Sequence, residues 1–410
     1  MISIPYLRLW YTSTRKVGFP LSERLSDTVP TRCSRGMSAR CARTTAIAVS
    51  TVAAPGLGAP DGLFVRDDGT CLACADHSLR VFTTSGPQQL LVSTLAGRVG
   101  ESGNLDGSGT DARFNIPTGI TVNTAGQMVV ADYFNHAVRL VSEDGDVRTL
   151  AGGGGSGFAD GQGAAALFKE PLSVAVTAEG DIVVADAGNH AVRVVTAGGA
   201  VRTLAGSGEP GFKDGQGADA RFRYPMGLAL DADGSVLVVD MYNHAVRRVT
   251  MAGAVSTVAG NGEKGYADGE GATARFNQPA DVVVDGHGTI VVADRDNHLL
   301  RKIVGRQVTT LAGGSEAGAA DGWQQAIDNT GKAYYVNHDT KEWSWEAPKL
   351  EDDPKAASAR FNEPFRLALD QGGRLLVAEA GRADKLRVVE ASLAPRRRRS
   401  TASCSRCVVM

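Results

Sequence analysis

Short runs of apolar residues alternate with turns along most of this 410-residue chain. Runs such as Ile182–Ala185 and Val236–Val239 are apolar at every position, so both faces of each predicted strand need cover. Glycine, asparagine and aspartate separate the runs, as tight turns between strands require. Helical periodicity is absent. The pattern therefore predicts an all-β protein of short strands, each packed between two other sheets.

One phrase, Asp-x-x-Asn-His, recurs at a fixed spacing of 54 residues, beginning at Asp132, Asp186, Asp240 and Asp294. Each copy follows Asp-Gly, Ala-x-Phe and Pro, and precedes a phrase close to Val-x-Thr-Leu-Ala-Gly. Each unit is predicted to form four strands, which is typical of a propeller blade. Degenerate copies at 61–80 and 361–387 bring the number of units to six.

These units resemble NHL repeats, and the resemblance covers about residues 48–394 apart from one insert. It implies a six-bladed β-propeller, a fold that commonly serves as a binding scaffold. The last unit lacks its fourth strand, whereas the matching phrase Val49–Ala53 stands alone near the beginning. We predict that this segment completes the last blade, because an open ring would leave a long unpaired strand edge.

An insert interrupts the repeat before the last blade. Gly322 and Phe361 are 39 residues apart, whereas the matching Gly269 and Phe276 are 7 apart, so 32 residues are extra. The insert holds two tryptophans 22 residues apart, a Tyr-Tyr-x-Asn-His strand between them and a proline three residues after the second tryptophan. It resembles a WW domain over about residues 323–348, which implies a small three-stranded sheet.

The WW resemblance implies a role for nine residues. Trp323, Tyr335 and Pro348 would form the small core. Tyr334 and Trp345 would form a groove for a proline-rich ligand, since a polyproline II helix presents flat rings to aromatic faces. Val336, His338 and Lys341 would form the pocket that accepts Tyr in Pro-Pro-x-Tyr ligands. Trp343 departs from the family pattern, which has a small Thr or Ser there, so we expect it to narrow or reshape the groove.

The repeated histidines, His136, His190, His244 and His298, lie on a predicted turn away from the axis. We interpret them as architectural, with the repeated Asp accepting hydrogen bonds and the repeated Arg bridging strands, and expect no bound metal or cofactor. The Asp-Gly segments are interpreted as turns. Cys71 and Cys74 lie three apart in a strand and therefore face opposite sides, which argues against a shared metal ion.

The innermost strands differ between blades in their charged residues, so Asp61, Asp281 and Arg366 are candidates for contact with a ligand in the central channel. Some six-bladed relatives of this fold are lyases or lactonases. The alternative function is therefore a metal-assisted lyase or hydrolase that uses the channel, although no set of metal-binding side chains stands out on these strands.

The two ends of the chain are basic, although the net charge is −2 and nothing global indicates nucleic acid. Residues 1–47 are interpreted as a disordered extension, with an organellar transit peptide as the alternative. Residues 395–410 contain a run of four arginines at 396–399 and end in Cys-Val-Val-Met. That pattern predicts either farnesylation at Cys407, with palmitoylation at Cys404, or an unmodified solvated tail. No stretch is long and apolar enough for a transmembrane helix.

The predicted organisation is a propeller at 48–322 and 349–394 that holds a WW domain at 323–348. We expect a non-catalytic scaffold whose WW groove binds proteins with proline-rich motifs and whose propeller face binds a second protein. The expected location is the cytoplasm, at the cytosolic face of membranes if the tail is lipidated.

Overall fold

The computed structural model describes residues 48–83, 90–313, 361–380, 383, 385–390 and 393, together with the backbone of three strands in the insert. The described part consists of β-strands, joined by turns and by three-residue 3-10 turns. The 3-10 turns span Gly109–Asp111, Tyr133–Asn135, Gly163–Ala165, Ala187–Asn189, Gly217–Asp219, Met241–Asn243, Gly271–Thr273 and Arg295–Asn297. The all-β prediction is confirmed.

Six antiparallel sheets form the blades of a propeller. Blade 1 comprises Gly62–Val65, Thr70–Ala75, Ser78–Thr83 and Ser93–Gly97. Blade 2 comprises Pro117–Val122, Met128–Asp132, Ala137–Val141 and Asp146–Gly152. Blade 3 comprises Pro171–Val176, Ile182–Asp186, Ala191–Val195 and Ala200–Ala205. Blade 4 comprises Pro225–Leu230, Val236–Asp240, Ala245–Val249 and Ala254–Ala259.

Blade 5 comprises Asp281–Val284, Ile290–Asp294, Leu299–Val304 and Gln307–Ala312. Blade 6 comprises Pro364–Leu369, Arg374–Glu379, Lys385–Glu390 and Ala48–Ala53. The first strand of each blade contacts the first strands of both neighbouring blades, so these strands surround the axis. Two-residue strands add to the outer edges of blades 2 to 5 at Gly107–Ser108, Gly161–Gln162, Gly215–Gln216 and Gly269–Glu270.

Six apolar clusters fill the interfaces between neighbouring blades. The cluster between blades 2 and 3, for example, joins Val129 and Leu140 to Val174 and Val184. Burial on both faces explains why the strand sequences are apolar at every position rather than alternating. Cys71 and Cys74 belong to different clusters, on opposite faces of blade 1, as the strand geometry predicted.

The segment Ala48–Ala53 closes the ring, as predicted. It pairs antiparallel with Lys385–Glu390 over six residues, from Ala48 opposite Glu390 to Ala53 opposite Lys385. Val49 is buried in the cluster between blades 5 and 6. The first described strand therefore completes the last blade, and the edge of Lys385–Glu390 is covered.

The insert contains a separate three-stranded antiparallel sheet of Trp323–Ile327, Ala333–Asn337 and Trp343–Ser344. The register places Tyr335 opposite both Gln325 and Ser344. This is the three-stranded sheet that the WW resemblance implied. Along the chain, the insert follows the fourth strand of blade 5 and precedes the first strand of blade 6.

Candidate functional site

A buried arginine links two aspartates in each of blades 2 to 5. In blade 2, Arg139 donates to Asp132 at 2.6 Å and to Asp106 at 2.7 Å, and its side chain is fully buried. Asp132 also accepts hydrogen bonds from Asn135 Nδ2 and from the backbone N–H of Asn115, both at 2.8 Å. The predicted roles of the repeated Asp and Arg are thus confirmed.

The Asp-Gly segments contain the expected turn, which begins at Gly109 in blade 2, but turn chemistry alone does not explain the aspartate. Asp106 accepts hydrogen bonds from Arg139 and from the backbone N–H and hydroxyl of Thr149 in the outermost strand, the last two at 3.0 Å. The residues that follow, Gly107 and Ser108, pair with that same strand. The aspartate is therefore the second counterion of the buried arginine, and it fixes the outer edge of the blade.

The repeated histidines join neighbouring blades, a role that the sequence did not reveal. His190 Nδ1, on blade 3, accepts a hydrogen bond at 3.1 Å from the backbone N–H of Tyr224, which directly precedes the first strand of blade 4. Equivalent bonds of 3.0–3.2 Å link Ile116 to His77, Glu170 to His136, Gln278 to His244, and Glu363 to His298. Burial lowers the pKa of each of these histidines, and the neutral ring supplies the acceptor.

The two ends of the propeller axis carry different side chains. The end that holds the 3-10 turns after Asp132, Asp186, Asp240 and Asp294 is called the insert-side end, because the insert leaves and returns there. The chain on both sides of the insert lies beside His298, which follows one of these turns. Before the insert, Gly313 is so close to the His298 carbonyl that a Cβ atom on it would lie 2.8 Å from the oxygen. After the insert, the backbone N–H of Glu363 donates to the His298 ring. The opposite end is called the cavity end.

The insert-side end is occupied by residues that the repeat does not share. The hydroxyls of Tyr133 in blade 2 and Tyr224 in blade 4 are 2.9 Å apart, and the Tyr224 hydroxyl also donates to Glu170 of blade 3 at 3.2 Å. Phe134 packs edge-on against Tyr133, and Tyr242 lies 5.5 Å from the Tyr224 ring. An aromatic cluster therefore links three blades at this end.

A central cavity of about 700 Å³ is lined by the innermost strands of all six blades and by the turns at the cavity end. Its lining is acidic: seven carboxylates face two arginines, namely Asp67, Asp68, Glu143, Glu179, Asp231, Asp281 and Asp285 against Arg66 and Arg366. Among the residues that the structure describes, no three His, Cys, Asp or Glu side chains are arranged to hold a metal ion.

The three channel candidates lie close to the axis. Asp281 accepts a hydrogen bond from the backbone N–H of Leu367 in blade 6 at 2.9 Å, and the Nε of Arg366 donates to the carbonyl of Asp61 in blade 1 at 2.5 Å. Burial raises the pKa of Asp61 to about 7, against the opposing charge of Arg366. Asp281 and Arg366 thus join blades, and a role in ligand contact stays a prediction.

The predicted WW residues fall in two groups. Trp323, Tyr334, Tyr335, Val336 and Trp343 lie on the three paired strands of the insert. His338, Lys341, Trp345 and Pro348 lie outside the described residues, as do Cys404 and Cys407. The assignments of core, groove and lipidation sites therefore stay predictions.

Family models match at both modules. The model of the WW domain matches residues 320–348, and the model of the NHL repeat matches residues 168–195 and 276–303. The chain is an NHL-repeat propeller with an inserted WW domain. The propeller is similar to a structural genomics protein of unknown function from Bacteroides thetaiotaomicron, with a TM-score of 0.55 and 18% identity over 84% of this chain and 76% of that one. That likeness concerns the fold alone.

Three curated proteins are similar in sequence. Protein SUPPRESSOR OF QUENCHING 1, chloroplastic, of Arabidopsis thaliana is 28% identical over 50% of this chain and 26% of its own length. NHL repeat-containing protein 2 of Gallus gallus is 26% identical over 77% of this chain and 44% of its own length. The E3 ubiquitin-protein ligase NEDD4 of Mus musculus is 36% identical over 42 residues, or 10% of this chain and 5% of its own length. This NHL-repeat chain therefore matches less than half the length of each.

Proposed function

We propose that this chain is a protein-interaction scaffold whose WW domain recruits proteins with proline-rich motifs. The observation that carries the proposal is the insert itself, a three-stranded sheet placed within an otherwise strict repeat. Such a module is too small to act as an ordinary domain core, but it suits the display of an aromatic groove. The short similarity to NEDD4 is a similarity between WW domains, and it supports the binding of proline-rich motifs.

The preferred ligand is a Pro-Pro-x-Tyr motif on another protein. The chain contains no Pro-Pro pair of its own, so the ligand acts in trans. The assignment of Val336, His338 and Lys341 to a tyrosine pocket distinguishes this motif from Pro-Pro-Leu-Pro. Because the interface is small, we expect an affinity on the order of micromolar.

The test is fluorescence anisotropy of the full chain with a labelled Pro-Pro-x-Tyr peptide. The variants Tyr334→Ala and Trp345→Ala should abolish binding, because each removes one wall of the groove. Gln325→Ala, which pairs with Tyr335 on the face of the sheet opposite the groove, is the matched control and should bind normally. Saturable binding that survives both groove variants would contradict the assignment, and a preference for Pro-Pro-Leu-Pro would contradict the tyrosine pocket.

The tail is the second component of the proposal. Farnesylation at Cys407, supported by the arginines at 396–399, would place the scaffold at an anionic membrane surface, since one lipid chain alone binds marginally. No helix in the described part of the chain has the length and apolarity to cross a bilayer. Mass spectrometry of the C-terminus, with Cys407→Ser as control in cell fractionation, tests the tail. An unmodified terminus would contradict it, and import of a fluorescent fusion of residues 1–47 into an organelle would favour the organellar alternative.

A further inference from the structure

The insert-side end combines exposed cations with exposed aromatic rings. Lys169 and Arg223 precede the first strands of blades 3 and 4, and Lys264 lies in the loop before blade 5. All three side chains are exposed, and among the described residues none has a carboxylate within ion-pairing distance. Phe134, 39% exposed, and the partly buried Tyr242 lie at the same end. Aromatic residues and arginine are the side chains most enriched at protein interfaces.

The three cations, called the arc, lie before the successive blades 3, 4 and 5, and Arg223 lies beside the aromatic cluster. The Arg223 guanidinium lies 6.0 Å from the centre of the Tyr242 ring. Burial lowers the pKa of His190, and the charges of Lys169 and Arg223 lower it further. The pKa of His244 is lowered first by burial and then by the charges of Lys264 and Arg223. The positive charges thus act on common neighbours, and Glu209 and Glu170 are the acidic groups that oppose them at His190.

The WW domain is attached at this same end. Nine residues, 314–322, separate the last described residue of blade 5 from the first strand of the insert. A segment of that length spans at most ~30 Å, so a polypeptide held in the WW groove is kept near the arc at a high effective concentration. A second contact on the same polypeptide then needs little affinity of its own.

We infer that Lys169, Arg223 and Lys264, together with Phe134 and Tyr242, dock an acidic segment of the same polypeptide whose proline-rich motif the WW domain binds. This inference rests on the proposed function. An acidic polypeptide is favoured because the cations lack counterions within the described part and because a WW domain recruits polypeptides. The opposite end of the axis, with seven carboxylates around its cavity, would repel such a ligand.

The experiment compares three peptides on the full chain: a Pro-Pro-x-Tyr core, the core joined to a run of six Asp and Glu residues, and the core joined to six Lys residues. A Gly-Ser spacer of about ten residues, with a root-mean-square span of roughly 17 Å, connects the parts. The acidic peptide should bind about tenfold more tightly than the core, and the gain should disappear in about 1 M salt, where exposed charges are screened. If the acidic peptide and the Pro-Pro-x-Tyr core bind the wild type with equal affinity, the inference is overturned.

Charge reversal identifies the surface. In the double variant Lys169→Glu/Arg223→Glu, the acidic peptide should lose its tenfold gain, and the lysine peptide should acquire one. The matched control Arg148→Glu/Arg202→Glu makes the same change of charge on exposed outer strands and should keep the wild-type ranking. Phe134→Ala should reduce the gain while the affinity for the core is unchanged. A gain that survives reversal of Lys169 and Arg223 overturns the inference.

Binding of the Pro-Pro-x-Tyr core alone distinguishes failure of the WW assignment from failure of the docking surface. If the core does not bind, the WW assignment fails, whereas a bound core without any acidic gain leaves that assignment intact and overturns the docking surface. A labelled ten-nucleotide single strand is tested in the same assay. Tight binding of this strand, abolished by Lys169→Glu/Arg223→Glu and competing with the acidic peptide, would show that the arc serves nucleic acid and would overturn the choice of partner.

Discussion

Two regions of the propeller use polar side chains in opposite ways. In the outer part of blades 2 to 5, the same Asp, Arg and His recur and are hydrogen-bonded, as in the pairing of the fully buried Arg193 with the buried Asp186 and the half-exposed Asp160. At the axis the residues differ from blade to blade, with an aromatic and basic insert-side end and an acidic cavity end. Repetition marks the side chains that join neighbouring strands and blades, and variation marks those that line the axis.

The comparison has a physical basis. A blade contacts only its neighbours, so a bond that serves every interface can be repeated without change. A contact across the axis joins blades that are not neighbours, so it cannot be a copy of the bond repeated between neighbours. The hydroxyl contact between Tyr133 and Tyr224 is of this kind, because it joins blades 2 and 4, which are not neighbours.

Removal of the closing strand should have the largest effect on stability. Deletion of residues 1–58 removes the buried Val49 and Leu57 and exposes the edge of Lys385–Glu390. Burial of two such side chains contributes on the order of 5 kcal/mol to the free energy of unfolding, so thermal denaturation should show a sharply lower Tm. Deletion of residues 1–47, which leaves the strand intact, should have no effect. Equal Tm values for both deletions would contradict closure by this strand.

The second-largest loss of stability is expected when one repeated arginine is replaced. Arg193→Met leaves Asp186 and Asp160 without their buried counterion, which typically costs about 3–5 kcal/mol. Urea denaturation measures the change in the free energy of unfolding. Arg202→Met, at an exposed position in the same blade, should change it by less than about 0.5 kcal/mol. If the two substitutions had similar effects, the repeated network would not be what stabilises the blades.

Much of this fold was predictable because its determinants are local. Apolar runs, turn residues and the period identify the blades, and the unattached phrase Val49–Ala53 identifies the closing strand. The histidine bonds were not predictable, since His190 and its partner Tyr224 are 34 residues apart and the acceptor meets a backbone N–H that has no sequence signature. The bond between Tyr133 and Tyr224 spans 91 residues. Such pairings appear only when neighbouring blades are assembled.

The histidines should make stability depend on pH. Below the ordinary pKa of 6.5, the unfolded chain binds protons that folded His190 resists, because burial, Lys169 and Arg223 lower the pKa of His190 in the folded state. Its contribution is therefore fully present above about pH 6.5 and is lost as the pH falls through the lowered pKa, by up to about 1.4 kcal/mol per pH unit. Burial raises the pKa of Asp186 to about 6, which acts in the opposite direction.

A variant isolates the histidine contribution from that of the aspartates. His190→Asn should lower stability at pH 7.5 but lose less of it between pH 7.5 and 5.5 than the wild type does, by urea denaturation at each pH. His287→Asn, outside the set of blade-bridging histidines, should show the wild-type difference. An unchanged pH dependence in His190→Asn would mean that the ring nitrogen is not the acceptor on which the interface depends.

The smallest effect is expected at the axis. Tyr133→Phe removes the hydroxyl that bonds Tyr224 but keeps the ring, so the loss should be about 1 kcal/mol, that of one hydrogen bond. Tyr224 retains Glu170 as an acceptor, which limits the cost of leaving its hydroxyl buried. Urea denaturation of Tyr133→Phe beside Arg193→Met measures the contrast directly. A loss at Tyr133 as large as that at Arg193 would show that the aromatic cluster also holds the blades together, and the division between repeated framework and variable axis would not stand.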